Sequence, residues 1–443
     1  MQRTLGAAFL AQQAWKQVPV SERARICRAF ADAFEKHRDS IASELSWQMG
    51  RPVSVAPGEV RGTLERARYM IDAASEALRD IDVGPKAGFT RFIRREPLGV
   101  VLTIAAWNYP YLIAVNSIVP ALMAGNTVIL KHSAQTPLCA EQFASCFREA
   151  GLRGVMQVLH LTHADTERVI RDPRISFVAF TGSVEGGHAI QRAAADRFIG
   201  TGLELGGNDP AYVRPDANFV HAVESLVDGA FFNSGQSCCG IGRIYVHDAI
   251  YERFVAAFVD LTSQYRLGNP LESETTLGPV VRTQAADSIR RSVAEAIYSG
   301  CASPDRRNAI RRESTGHSIS RSASARRYTT RHADRPGGDL RAGREHCARD
   351  YGRGGDPPDE RQPLRTDRVG VDCGRESRNR NWRAHRYRNL VHESLRLSRS
   401  GVGLGGREGL RSWLHLVGGR LRASDAAEIV SSSDLDLKAQ ERQ

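Results

Sequence analysis

Between Gly99 and Leu130 the chain carries no charged side chain. A stretch of that kind either crosses a membrane or is buried on both sides within a protein. Its punctuation decides between the two. Asn108-Tyr109-Pro110, Asn116, Pro120 and Gly125-Asn126 interrupt the apolar run, and such residues mark turns rather than the interior of a spanning helix. The pattern predicts a buried strand over Val100–Ala106, a helix over Tyr111–Ala124 and another buried strand over Thr127–Leu130. Strand, crossover helix and strand, with both sheet faces covered, form the unit of a parallel α/β sheet. The reading argues against a membrane span.

The flanking text fits that class. Phe30, Ala33, Phe34 and Ile41, and then Leu64, Ala67, Met70, Ile71 and Ala74, recur near helical spacing, so residues 10–80 read as helices. Asp82-Val83-Gly84-Pro85 marks a turn, and Phe89 to Arg95 alternates like an exposed strand. Phe177-Val178-Ala179-Phe180 is a short strand running into Thr181-Gly182-Ser183. Beyond residue 210 a strand at Arg243–Val246 and helices at Tyr251–Ser263 and Ala285–Ser299 continue the alternation.

The 443 residues suffice for two or three domains. The net charge of +11 is unevenly placed: residues 1–300 hold 31 basic and 31 acidic side chains, and the remainder holds 30 and 19. Nucleic-acid binding would therefore rest on the last third alone. The eight cysteines form no CxxC pair, and Met1 to Val18 lacks a continuous apolar leader, so a reducing cytoplasmic location is expected. There is no HExxH and no Cys/His grouping with zinc spacing, so no metal is expected.

Two segments carry chemistry. Leu203-Glu204-Leu205-Gly206-Gly207 sets one carboxylate beside two glycines. Phe231-Phe232-Asn233-Ser234-Gly235-Gln236-Ser237-Cys238-Cys239 sets a thiol just after Gly-Gln. Taken singly, a cysteine in an apolar stretch is commonly a buried filler and a glutamate a solvated charge. Together, a nucleophilic thiol and a carboxylate base can form a thioester and hydrolyse it. Three further motifs precede them in order: Trp107-Asn108-Tyr109-Pro110, Lys131-His132-Ser133-Ala134-Gln135-Thr136-Pro137, and Phe180-Thr181-Gly182-Ser183-Val184-Glu185-Gly186-Gly187. The last has the form of a turn that brings a helix N-terminus to a phosphate.

Together these motifs resemble the signatures of the aldehyde dehydrogenase superfamily, over roughly residues 10–300. The resemblance implies a Rossmann-type cofactor domain (1–204, with an oligomerisation hairpin at 82–98) and an incomplete α/β catalytic domain (205–300). It implies Cys238 as nucleophile, Glu204 as the base for deacylation and Asn108 as an amide donor to the oxyanion, with Cys239 a structural thiol. It implies cofactor contacts from Trp107, Lys131, Gly182, Ser183, Gly187 and Leu205. In it, Gly182 and Gly187 let the backbone approach the pyrophosphate, and Ser183 can donate to phosphate. Ala134 stands where many NAD-preferring members carry glutamate, which leaves NAD or NADP open, and Asn208 replaces the usual lysine after the E-L-G-G run. A small aldehyde as substrate, and a homodimer or tetramer in an intact relative, follow from the same resemblance.

After Gly300 the text changes. Arg, Gly, Ser and Asp dominate, apolar periodicity fades, and Lys438 is the only lysine. The family's closing motifs are absent, yet reading one nucleotide later with synonymous codons recovers them in order, among them ETFGPV from Gly338–Arg344 and YGLTASVWT from Leu364–Cys373. A one-base frame change near Ser299-Gly300-Cys301 accounts for this, and residues 301–443 would then be an Arg-rich, disordered tail. The expected function is NAD(P)-dependent oxidation of an aldehyde to a carboxylate through a Cys238 thioester. The alternatives are an inactive frame-shifted product, or a non-enzymatic protein binding RNA or another polyanion through its tail. Against the last, the tail offers only Tyr328, Tyr351, Trp382, Tyr387 and Trp413 for stacking, with no RGG-type repeats.

Overall fold

The computed structural model describes residues 1–298. The expectations for residues 301–443 (frame change, disordered tail, polyanion binding) lie outside the described residues. Four helices open the chain: α1 (Gln2–Trp15), α2 (Val20–Lys36), α3 (Arg38–Met49) and α4 (Ala56–Ala77). A short antiparallel ribbon follows, β1 (Ile81–Asp82) with β2 (Phe92–Ile93). Next come β3 (Val100–Ala105), α5 (Pro110–Met123), β4 (Thr127–His132), α6 (Leu138–Glu149), β5 (Met156–Val158), α7 (His163–Ile170), β6 (Ile175–Gly182), α8 (Val184–Ala194) and β7 (Gly200–Leu205). The last stretch holds β8 (Asp209–Val213), α9 (Phe219–Phe231), β9 (Ile241–Val246), α10 (Tyr251–Ser263) and α11 (Thr283–Tyr298).

Strands β3 to β7 form one parallel sheet in the order β5-β4-β3-β6-β7. Every residue of β3 and β4 is buried, as the uncharged run requires. Successive side chains of β3 serve opposite faces. Val101 and Ala105 join the large core shared with α2 to α6, while Val100, Leu102 and Ile104 pack with Leu5 and Ala8 of α1, Val169 and Ile170 of α7, and Ile190 and Ala193 of α8. Fully burying one such valine or leucine is worth about 1.5–3 kcal/mol. Helix α5 is apolar nearly all round because it lies between the sheet and α4.

Two differences from the sequence reading have physical causes. The alternating run at Phe89–Arg95 pairs over two residues only, with one further bridge from Lys86 to Phe89. Among the described residues the ribbon has no third strand, and an isolated two-stranded ribbon is marginal. Ile81, Val83, Phe89 and Phe92 stand exposed on it. The second difference lies at β7, which carries Glu204 on the sheet edge and shows no strand pattern in the sequence, because its two glycines and exposed end weaken the alternation.

β8, α9 and β9 form a separate βαβ unit with a parallel two-strand pairing. Its buried core is small: Val213, Val223, Val227, Phe231, Phe254 and Phe258. Among the described residues no further strand joins either edge. No helix among them is long and apolar enough to cross a membrane.

Candidate active site

The order of the five-stranded sheet reverses direction between β3 and β6. In open parallel sheets the crevice outside the carboxyl ends of the strands, at such a switch point, is where ligands bind. The sequence-derived cofactor residues lie along this edge. Trp107 and Asn108 follow β3 directly, Lys131 sits near the end of β4, Gly182 ends β6, and Leu205 ends β7 opposite Gly182. Glu204 is exposed and pairs in register with Thr181.

Ser183 is the N-cap of α8, its Oγ accepting from the Gly186 amide at 3.1 Å. That leaves the hydroxyl proton free to donate outward, beside the positive end of the helix. The glycines here also serve packing. A Cβ at Gly182 would lie 2.5 Å from the Phe180 ring, and one at Gly187 would lie 2.8 Å from the Leu205 side chain. Gly187 and Leu205 thus meet where the helix packs on the strand. Lys131 is buried, with no carboxylate partner among the described residues, and burial lowers its pKa. A poorly solvated ammonium at the strand ends is suited to ribose hydroxyls or a phosphate. Ala134 is exposed beside it.

His132, next in sequence, does structural work that the sequence reading did not assign. Its Nδ1 accepts from the Ser133 amide at 3.0 Å, so Nε2 carries the proton and donates to the Pro110 carbonyl at 3.1 Å. Burial pushes its pKa down to about 4.

The thiol loop begins where α9 ends. Asn233 and Ser234 have φ of 55° and 59°, the only non-glycine residues at positive φ among those described, and Gly235 follows at 73°. Non-glycine residues pay roughly 1–2 kcal/mol each for this conformation, so the loop must be held from outside. Ser234 Oγ donates to the Gly278 carbonyl at 2.7 Å, and the Val281 amide donates to Gln236 Oε1 at 2.8 Å. Asn233 Nδ2 donates to the carbonyls of Asn108 (3.0 Å) and Gln236 (3.1 Å).

Asn108 and the Glu204 segment both reach this loop. Asn108 Nδ2 donates to the Gln236 carbonyl at 3.2 Å, which orients the amide and leaves its second N–H available. The Gly207 amide donates to the Cys238 carbonyl at 2.9 Å, and a Cβ at Gly207 would lie 2.8 Å from that same oxygen. Glycine is required there by close backbone approach. Asn208 folds over Gly242, where a Cβ would overlap its side-chain oxygen.

Five cysteines are described. Cys27, Cys139 and Cys146 are buried, and burial raises all three, Cys27 and Cys146 to about 12. Cys238 is half-buried and Cys239 exposed. These two adjacent thiols titrate together. A hydrogen bond from the Cys238 thiol to the Cys239 sulfur raises Cys238 and lowers Cys239 to about 6, helped by the Ser237 hydroxyl. The pair therefore gives up one proton easily and the second with difficulty. The resemblance implies Cys238 as nucleophile and Cys239 as structural thiol, and the Ser237 hydroxyl lies 3.3 Å from the Cys239 sulfur. The Cys238 carbonyl and its loop receive Gly207 and Asn108. Among the described residues no cluster of His, Cys, Asp or Glu could hold a metal ion.

Residues 1–319 match the aldehyde dehydrogenase family. The chain belongs to that family. An NADP-dependent succinate-semialdehyde dehydrogenase of Mycobacterium avium is 35% identical over 283 residues, covering 63% of this chain and 60% of the relative. A protein of the same name from Mycobacterium tuberculosis is 34% identical over 292 residues, covering 65% and 63%. Among solved structures, Gox0499 superposes with a TM-score of 0.65 at 32% identity, covering 68% of this chain and 66% of its own. Succinic semialdehyde dehydrogenase from Streptococcus pyogenes, solved with NADP+, also gives 0.65, at 29% identity and the same coverage. The chain thus spans about 60% of the length of these curated relatives.

The roles of Asn233 and His132 are not visible in the sequence motifs. Only the Asn233-Ser234-Gly235 run carried a local signal, that of a turn.

Proposed function

We propose that residues 1–298 form the cofactor-binding part and the nucleophile-bearing part of an NAD(P)-dependent aldehyde dehydrogenase. The division falls near Glu204, where the parallel sheet ends. The observation that carries the reading is the joining of three segments at one sheet edge: Asn108 to Gln236, and Gly207 to Cys238.

The residues fit a dinucleotide. Ser183 and the α8 N-terminus would hold the pyrophosphate, Lys131 the adenosine ribose, and Trp107, Gly187 and Leu205 would line the path. When bound, NAD(P) supplies a hydride acceptor. The Cys238 thiolate attacks the aldehyde carbon, and the oxyanion is held by the free N–H of Asn108 and the Cys238 amide. After hydride loss the acyl group remains on Cys238 as a thioester. Glu204 takes a proton from water, which attacks the thioester and releases the carboxylate. The absence of a carboxylate at Ala134 removes the repulsion that would exclude a 2′-phosphate, so both cofactors are accommodated. Since the relatives in hand are named for succinate semialdehyde, that compound is the first substrate to test.

The closing motifs lie out of frame, so the chain as translated has little or no turnover. The ribbon at 81–93 serves subunit contact in the restored protein. The test is to express the chain with and without the frame restored at codons 299–301. Restored protein should oxidise succinate semialdehyde with NAD+ or NADP+, and the literal chain should not. Equal rates, or an inactive restored protein, would overturn the proposal.

A further inference from the structure

The segment joining α3 to α4 plays no part in the chemistry above, yet it places a buried charge at the centre of the site. Arg51 is 2% exposed and Glu59 5%. Its guanidinium divides its donors among three parts of the chain. One nitrogen donates to Glu59, Nε donates to Asn233 Oδ1 at 3.1 Å, and the remaining nitrogen donates to the Asn108 carbonyl at 2.7 Å. The same group lies 4.8 Å from the Tyr109 ring centre. Glu59 extends the connection: its other oxygen accepts from the amides of Tyr111 (2.9 Å) and Leu112 (3.3 Å), in the first turn of α5.

The consequence is geometric. The Asn108 carbonyl accepts from both Arg51 and Asn233, so its peptide is fixed. Asn233, at positive φ, is gripped at its side-chain oxygen by Arg51 while its nitrogen holds Gln236. Burial raises the Glu59 carboxyl, opposed by Arg51 and the two amides, so each charge depends on the other for its place.

We propose that the Arg51–Glu59 pair is a positioning device that sets the Asn108 amide against the Cys238 loop. It rests on the reading of Cys238 as nucleophile. Neither residue touches substrate; each acts through Asn108 and Asn233. A planar fork with fixed donor directions suits three partners, which a lysine cannot reproduce in full.

The test uses the full 443-residue chain and two reactions of Cys238, each followed by mass spectrometry of its peptide. Acylation by 4-nitrophenyl acetate passes through a tetrahedral oxyanion before 4-nitrophenolate leaves. Alkylation by iodoacetamide displaces iodide and forms no oxyanion. Their rate ratio reports oxyanion positioning separately from thiolate supply. R51M should lower the ratio by about tenfold or more, since small misplacements at a reacting centre cost that much, and R51K should recover part of it. E59Q, nearly isosteric, should lower the ratio too. If R51M makes Cys27, Cys139 and Cys146 reactive, E59Q decides. An unchanged ratio in a folded variant, or acylation and alkylation falling in equal measure, would overturn the proposal. Failure of the underlying reading looks different: C238A would then leave acylation of the protein unchanged.

Discussion

Acid should destabilise this protein through one imidazole. His132 is held neutral, Nδ1 accepting from a backbone amide and Nε2–H donating to the Pro110 carbonyl, with its pKa near 4 in the fold. In the unfolded chain the ordinary value is about 6.5. Between those values the unfolded state binds the extra proton, so stability is lost as pH falls below the unfolded value and the loss is complete near the folded one. A difference of about 2.5 units at 1.36 kcal/mol each gives about 3 kcal/mol, most of it gone by about pH 4.5. Urea unfolding of wild type and His132→Gln at pH 7.5, 6.5, 5.5 and 4.5 measures it. The variant removes this proton while the carboxylates titrate alike in both chains, Asp172 with its Arg174-depressed pKa included. The wild type should lose about 2–3 kcal/mol relative to the variant across that range. Parallel curves, or an NMR pKa for His132 at or above about 6.5, would refute the reasoning.

Further outcomes follow from the same geometry. Ser183→Ala removes the cap on α8 and should cost about 1 kcal/mol, while weakening dinucleotide binding measured by calorimetry; unchanged affinity would take the hydroxyl out of the cofactor site. Gly207→Ala places a methyl against the Cys238 carbonyl and should slow acylation of Cys238 with the far-ultraviolet spectrum unaltered. In C239S the low-pH limb of thiol alkylation, with its midpoint near 6, should vanish, and Cys238 should titrate closer to an ordinary thiol at about 8.5. A midpoint that stays near 6 would mean that Cys238 itself is the acidic partner.

The sequence carries the central sheet plainly because burial writes itself into local text. The uncharged run gives β3, α5 and β4, with ends displaced by one or two residues, and Tyr251–Ser263 appears as α10. Those signals are periodic and need no knowledge of partners. Most of the cofactor residues gather at one sheet edge because Trp107, Lys131, Gly182 and Leu205 lie at or just past the carboxyl ends of parallel strands. The support of the site is another matter. Arg51 and Glu59 look like solvated charges in the text, and only the packing of α4 against α5 buries them together. The left-handed turn at Asn233 and Ser234 is paid for by contacts with Asn108, Arg51 and Gly278, none of them near in sequence. The fold of Asn208 over Gly242 depends likewise on the pairing of β8 with β9.

The most direct measurement is a single turnover of the frame-restored protein. Enzyme, succinate semialdehyde and NADP+ would be mixed, quenched in acid within the turnover, and digested for mass spectrometry. An acyl group is expected on Cys238, absent from C238A and still present in C239S. An acyl group on Cys239, or reduced cofactor formed with no acyl-enzyme at any time, would contradict it.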